Sequence, residues 1–132
     1  MKEMRWRQRF ENYEKSYHLL HKYSNNDLRS ELELAGFIQL FEMTFELSWK
    51  VMKDYLENEG YILKSPRDTI KQAFRSGLIR AGHDWIEALT SRNETTQTYD
   101  EEKIVSLIEE IRTRYLPLFS ELHEKLSEER TR

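Results

Sequence analysis

The chain has 132 residues, the length of one ordinary domain, and its 3 Trp, 7 Tyr and 6 Phe exclude a wholly disordered protein. Its 4 Gly and 2 Pro are too few for the turns of an all-β fold, so the composition favours an all-α fold. The lack of Cys excludes disulfides and thiolate metal sites, and the net charge of −3 argues against non-specific nucleic-acid binding.

The sequence shows no signal for membrane insertion or export. No stretch approaches the ~18 consecutive apolar residues of a membrane helix, and residues 1–15 lack the apolar core of a signal peptide. We therefore expect a soluble, cytoplasmic protein with no membrane partner. Because neither linkers nor repeats are visible, we expect a single domain over residues 1–132.

The first helix is predicted from a stripe of apolar side chains. These recur at alternating spacings of four and three residues from Trp6 to Leu20, which places them on one face of a helix. Turn-forming residues follow at 24–26 and predict its end.

A second helix is predicted to begin at Asp27 or soon after and to run to about Glu59, with Gly60 as its C-terminal cap. Residues 36–52 are apolar on more than one face, which indicates two neighbouring helices, or one neighbour and a second subunit. The second case would make α-helical contacts between two copies of the chain. The candidates for the dimer interface are the large apolar residues Phe37, Phe41, Phe45 and Trp49.

Two short helices are predicted next. Ser65 and Pro66 are typical of a helix start, and Gly77 marks the end of that helix. A fourth helical segment covers residues 83–91. The polar stretch 92–100 that follows is a poor helix former and is predicted to be irregular.

The last helix is predicted from the capping-box pair Thr98 and Glu101. Its apolar stripe runs from Ile104 to Leu126, and Pro117 is expected to remove one backbone hydrogen bond and bend it. Together the segments predict an antiparallel, up-and-down four-helix bundle with an extra short helix.

The histidines and paired carboxylates give little sign of catalysis. His18 and His21 share a helix face, but two ligands do not make a metal site, so we expect solvated side chains and no bound metal. Glu42 and Glu46 lie one helical turn apart and are expected to contact a partner's arginine or solvent. No phosphate-binding loop or hydrolase motif is present in the sequence.

The polar stretch 92–100 is the strongest candidate for a site. An arginine can bind a phosphate through two hydrogen bonds, and amide side chains can recognise polar groups. A plain connection between two helices is the alternative. In a dimer, two copies of this stretch would form a small cleft lined by two arginines. The candidate cleft residues are Arg92, Asn93, Gln97, Thr98 and Tyr99.

The residues at 36–50, 53–56, 65–67 and 92–101 resemble the nucleotidyltransferase substrate-binding proteins, the HepT-like branch of the HEPN superfamily of helical bundles. The resemblance covers residues 5–126. It implies a four-helix bundle that dimerises and partners a separately encoded, minimal polymerase-β-like nucleotidyltransferase in a toxin–antitoxin type of module. It also implies that Mg²⁺ and a nucleoside triphosphate are used by that partner, while this chain binds no cofactor.

The resemblance further implies an Arg-x4-His-x-Tyr motif, whose tyrosine can be adenylylated by the partner. Here the motif reads Arg92-x4-Gln97-x-Tyr99. Glutamine cannot move a proton near neutral pH as histidine does, so binding can survive while acid–base catalysis is lost. We expect a non-catalytic substrate-binding partner subunit, with Tyr99 as the residue that can accept AMP.

Two alternatives remain open from the sequence. One is a HEPN ribonuclease that cleaves RNA in a cleft at the dimer interface, with Arg92 stabilising charge at the phosphate. The other is a helical oligomer in which the stretch 92–100 is only a connection.

Overall fold

The computed structural model describes residues 1–95 and 100–132. The described residues form helices and no strand, which confirms the predicted all-α class. No helix within these two ranges is long and apolar enough to cross a membrane. The elements are α1 (Lys2–Tyr23), α2 (Glu31–Asn58), α3 (Pro66–Arg75), α4 (Gly82–Glu94), and a last rod made of α5 (Glu101–Glu110), a π-helical turn (Ile111–Tyr115) and α6 (Leu116–Arg130).

The long helices run up and down, each antiparallel to the one before it. Near the start of α1, Arg9 pairs with Asp54 near the end of α2 at 2.9 Å. Further along, the buried hydroxyls of Ser16 and Thr44 hydrogen-bond at 2.6 Å. The predicted bundle is therefore confirmed, with α3 as the extra short helix.

The start of α2 lies at Glu31, which agrees with the predicted start at Asp27 or soon after. Ser30 caps the helix, since its side chain accepts a hydrogen bond from the Glu33 amide at 3.0 Å while the Glu33 carboxylate accepts one from the Ser30 amide at 3.0 Å. This reciprocal pair is a capping box and decides where the helix begins. The predicted C-terminal cap is confirmed, because Gly60 adopts a positive φ of 104°.

The last rod begins at Glu101, the second residue of the pair that predicted its start, and Thr98 lies outside the described ranges. The N-cap is Asp100, whose carboxylate accepts a hydrogen bond from the Glu102 amide at 3.1 Å. An aspartate caps a helix as well as a threonine does.

The π-helical turn at residues 111–115 shows how the last rod passes Pro117. In a regular α-helix the proline ring would clash with the carbonyl four residues earlier. Here the Leu116 amide donates instead to the carbonyl of Ile111, five residues back. This wider turn alters the backbone spacing just before the proline and lets the helix continue into α6.

The middle of α2 lies in the core of the single chain. Phe37, Phe41 and Phe45 are 2%, 0% and 0% exposed, and the ring of Phe41 stacks on that of Tyr115 with 5.7 Å between centroids. Their burial is complete without a second subunit, so their assignment to a dimer interface is corrected. Of the four candidates, Trp49 alone is half-buried.

Candidate functional site

Arg92 and Asn93 lie in the last turn of α4, which continues to Glu94. The sequence predicted an irregular segment from Arg92 onward, and this is corrected. Thr95 closes the end of the helix: its amide donates to the Ser91 carbonyl, and its hydroxyl oxygen lies 2.7 Å from the Arg92 carbonyl oxygen. The other candidate residues, at positions 97–99, lie outside the described ranges.

Two acidic side chains of α2 hold the C-terminal end of α4. The Oε2 atom of Glu46 lies 3.1 Å from Nη2 of Arg92, and Oε2 of Glu42 accepts a hydrogen bond from the Thr95 hydroxyl at 2.8 Å. Because Glu42 and Glu46 are one turn apart, both contacts come from one face of α2. The sequence predicted a partner's arginine or solvent for these carboxylates, and Glu46 instead contacts Arg92 of the same chain.

The guanidinium of Arg92 is partly exposed, and not all of its hydrogen-bond donors are used by the described residues. Its side chain is 31% exposed, and the carboxylate that pairs with it is 33% exposed and also lies 3.6 Å from Nζ of Lys50. The Nε atom of Arg92 is buried without a hydrogen-bond partner among the residues that the structure describes. An arginine with donors to spare, next to a shared carboxylate, can bind an anion such as a phosphate.

The C-terminal end of α4, which contacts α2, also contacts the π-helical turn. The Ser91 hydroxyl lies 3.0 Å from the buried Tyr115 hydroxyl, which donates to Glu110 at 3.0 Å. Burial, and then the hydrogen bond to Glu110, raise the pKa of Tyr115, so this phenol stays protonated at neutral pH. Ser91 is the residue before Arg92, so this contact positions the arginine.

A charged cluster joins the same turn to the start of α4. Arg114 donates to Asp84 at 2.9 Å and also pairs with Glu87. The hydrogen bond with Arg114 is the largest cause that lowers the pKa of Glu87. The sequence analysis missed this support for the site, because only the proline at 117 hinted at an irregular turn.

A family profile described as nucleotidyltransferase substrate binding protein like matches residues 8–128. This chain belongs to the nucleotidyltransferase substrate-binding family. The predicted membership is therefore confirmed, and the match spans nearly all of the helical bundle.

Similar proteins of Haemophilus influenzae and Thermus thermophilus are known. A Haemophilus influenzae protein named "Probable ribonuclease HepT" is 35% identical in an alignment of 83 positions, which covers 59% of this chain and 57% of that protein. A solved protein of Thermus thermophilus shares 30% identity and a TM-score of 0.74, over 91% of this chain and 99% of that one.

A solved Haemophilus influenzae protein shares 28% identity and a TM-score of 0.76, over 89% of this chain and 98% of that one. It is described as revealing the fold of a substrate binding domain of a nucleotidyltransferase. That protein and this chain therefore share one helical-bundle fold.

Proposed function

We propose that this chain is the non-catalytic, substrate-binding partner subunit of a separately encoded minimal nucleotidyltransferase, in a two-component module of toxin–antitoxin type. Membership of the family supports a nucleotidyltransferase as the partner. The observation that carries the proposal is the half-buried Arg92, which pairs with Glu46 at the end of α4. The same motif has Gln97 at the position where a histidine would move protons.

The histidine on the same helix does not replace the missing one. His83 lies nine residues before Arg92, which is about 13 Å along the axis of α4. Its Nε2 atom lies 2.8 Å from Oε1 of Glu87, on an exposed face. The site therefore retains a guanidinium that can bind a phosphate. Among the described residues, no group beside this guanidinium titrates near neutral pH. Such a site is suited to binding and not to acid–base catalysis.

Tyr99 is the proposed acceptor of AMP. Its phenolic oxygen would attack the α-phosphorus of a nucleoside triphosphate that the partner binds with Mg²⁺. The bond from that phosphorus to pyrophosphate breaks, and the phenolic proton is released to solvent. We further propose a homodimer, in which the Arg92 side chains of two copies share one cleft with the modified tyrosines.

A tagged pull-down from the native host tests the partner role. Peptide mass spectrometry should identify a nucleotidyltransferase with the wild-type chain, and an added AMP on the peptide that contains Tyr99. Arg92→Ala should reduce the modification. Arg75→Ala, a change at an exposed arginine in the last turn of α3, should not. Recovery of the wild-type chain alone and unmodified would contradict the proposal.

The ribonuclease function is the second candidate, and the name of the Haemophilus influenzae relative favours it. It predicts that the purified chain cleaves RNA and that Arg92→Ala abolishes cleavage while Arg75→Ala does not. We expect no cleavage by the wild-type chain. If the glutamine is the reason, Gln97→His should introduce cleavage, because it supplies a group that can move protons.

A further inference from the structure

Three side chains with metal-binding atoms meet where α1 contacts α6. Glu14 and His18 lie one turn apart on α1, and His123 lies on α6. One ligand atom from each, a carboxylate oxygen and two imidazole nitrogens, lies within 4.8 Å of the other two. Nε2 of His123 is 2.7 Å from Oε2 of Glu14, and the ring centroids of His18 and His123 are 5.3 Å apart.

Aromatic packing holds His123 in this position. Its ring is stacked between Phe10 and Tyr17, at centroid distances of 5.4 and 5.1 Å. Beside it, the buried hydroxyl of Tyr13 donates to an α6 carbonyl at 2.6 Å and joins the two helices. The ligand atoms are thus presented by a rigid part of the bundle, whereas the exposed His18 is free to change rotamer.

The carboxylate of Glu14 also contacts a cationic side chain of α6. Nη1 of Arg130 lies 3.5 Å from Oε1 of Glu14, so this arginine occupies one carboxylate oxygen and repels a metal ion at the other.

We propose that Glu14, His18 and His123 bind a divalent transition-metal ion, with Zn²⁺ as the expected one. Two imidazoles and a carboxylate are a known set of three zinc ligands, which leaves a fourth position for water. Tetrahedral coordination requires ligand atoms about 3.3 Å apart. To meet this requirement, the Glu14–His123 pair would have to open from 2.7 Å and the His18 ring would have to rotate.

The metal would join the N-terminal and C-terminal helices of the bundle. It lies between α1 and α6, whereas Arg92 lies on α4 and contacts α2. The two sites share no residue, so a failure of the metal proposal leaves the proposed function untouched. Its expected consequence is thermal stabilisation of the chain by bound metal.

Titration calorimetry of the full, chelator-treated chain with ZnCl₂ tests the site. The wild type should bind one Zn²⁺ per chain, and His18→Ala or His123→Gln should weaken binding by about tenfold or more. His123→Gln keeps a side chain that can donate to Glu14, and circular dichroism checks its fold. His21→Ala, at the exposed histidine three residues from His18, is the matched control and should bind as the wild type does.

Arg130→Gln separates a metal site from a structural ion pair. If Arg130 opposes the metal, this change should tighten Zn²⁺ binding, because it removes a positive charge beside Glu14. In ¹H NMR spectra, Zn²⁺ should shift the ring resonances of His18 and His123 but not those of His83. Absence of Zn²⁺ binding, unchanged binding by His18→Ala, or an equal loss in His21→Ala would overturn the proposal.

Discussion

At the scale of the residue, Arg92 combines partial burial with a single acidic partner among the described side chains. A guanidinium whose only role was structural would be expected to be enclosed and fully paired. The Arg92 and Glu46 side chains are instead 31% and 33% exposed to solvent, so water screens much of their attraction. The ion pair therefore orients Arg92 more than it stabilises the fold.

A double-mutant cycle measures how much the Arg92–Glu46 ion pair contributes to the free energy of unfolding. Arg92→Ala, Glu46→Ala and the double variant should give a coupling free energy of about 0.2–1 kcal/mol, which is typical of exposed ion pairs. Urea unfolding of the four proteins gives the value. The cycle at Lys53 and Glu57, an ion pair of 3.0 Å within α2, is the control. A coupling above about 2 kcal/mol would make Arg92 a structural residue.

The buried Tyr13 gives a prediction at high pH. Burial raises its pKa well above the usual value, and its hydroxyl donates to the Phe119 carbonyl. Below about pH 10 the phenol is neutral in both the folded and the unfolded chain, so its contribution to stability is complete. Above that pH the unfolded chain loses the proton while the folded chain retains it, so stability falls as pH rises.

The measurement is urea unfolding of wild type and Tyr13→Phe at pH 7 and above pH 10. At pH 7 the substitution should lower stability by about 1 kcal/mol, the net value of one hydrogen bond. At high pH the variant should lose less stability than the wild type. Tyr61→Phe, at an exposed tyrosine, should change neither value. Equal losses at high pH in wild type and Tyr13→Phe would contradict the assignment.

At the scale of the element, α2 has one face in the core and one open to solvent. The exposed residues of its N-terminal half include Leu32, Ala35, Gly36, Gln39 and Met43. Gly36 lies in the helix interior, and a Cβ atom built there meets nothing within 4 Å in the described chain. A glycine at this position lowers helix stability without a packing reason inside one chain.

Substitution of Gly36 tests that surface, and Gly77, which follows α3, provides the comparison. Gly36→Ala should raise the stability of the chain by about 0.5–1 kcal/mol, because alanine favours the helix. Gly77→Ala also meets open space but has a φ of +82°, so it should lower stability by about 1–2 kcal/mol. Thermal unfolding gives both values. A loss of stability in Gly36→Ala would show that the α2 face is covered, as a second copy of the chain would cover it.

Local signals predicted much of the helical framework. Ser65 caps α3 as expected and accepts a hydrogen bond from the Asp68 amide, because cap geometry depends on a few neighbouring residues. Gly60 ends α2 for the same kind of reason. The start of α2 was predicted only approximately because Asp27 and Ser30 are both good caps, and the reciprocal bond with Glu33 decides between them.

The site was harder to predict because its contacts join distant parts of the chain. Arg92 and Glu46 are far apart in sequence, and no local pattern pairs them. The same holds for the burial of Phe37, Phe41 and Phe45: the spacing showed an apolar face, but which surface covers it is set by tertiary packing. The polar composition of residues 92–100 marked Arg92, Gln97 and Tyr99 as candidates, and the family resemblance added their arrangement as a motif.

At the scale of the whole molecule, the bundle has two separate groups of polar side chains that can bind ligands. The end of α4 presents Arg92 beside α2, and the α1–α6 contact presents two histidines and a carboxylate. The exposed face of α2 lies on the helix that also holds Arg92 through Glu46. A second copy of the chain on that face would bring two arginines into one assembly, as the proposed cleft requires.

The proposed function requires an assembly with a nucleotidyltransferase, and native mass spectrometry of the complex purified from the native host measures that assembly. We expect a particle that contains two copies of this chain together with a second polypeptide, which peptide sequencing identifies as a nucleotidyltransferase. Particles whose masses are only multiples of this chain's own mass would contradict the proposed function.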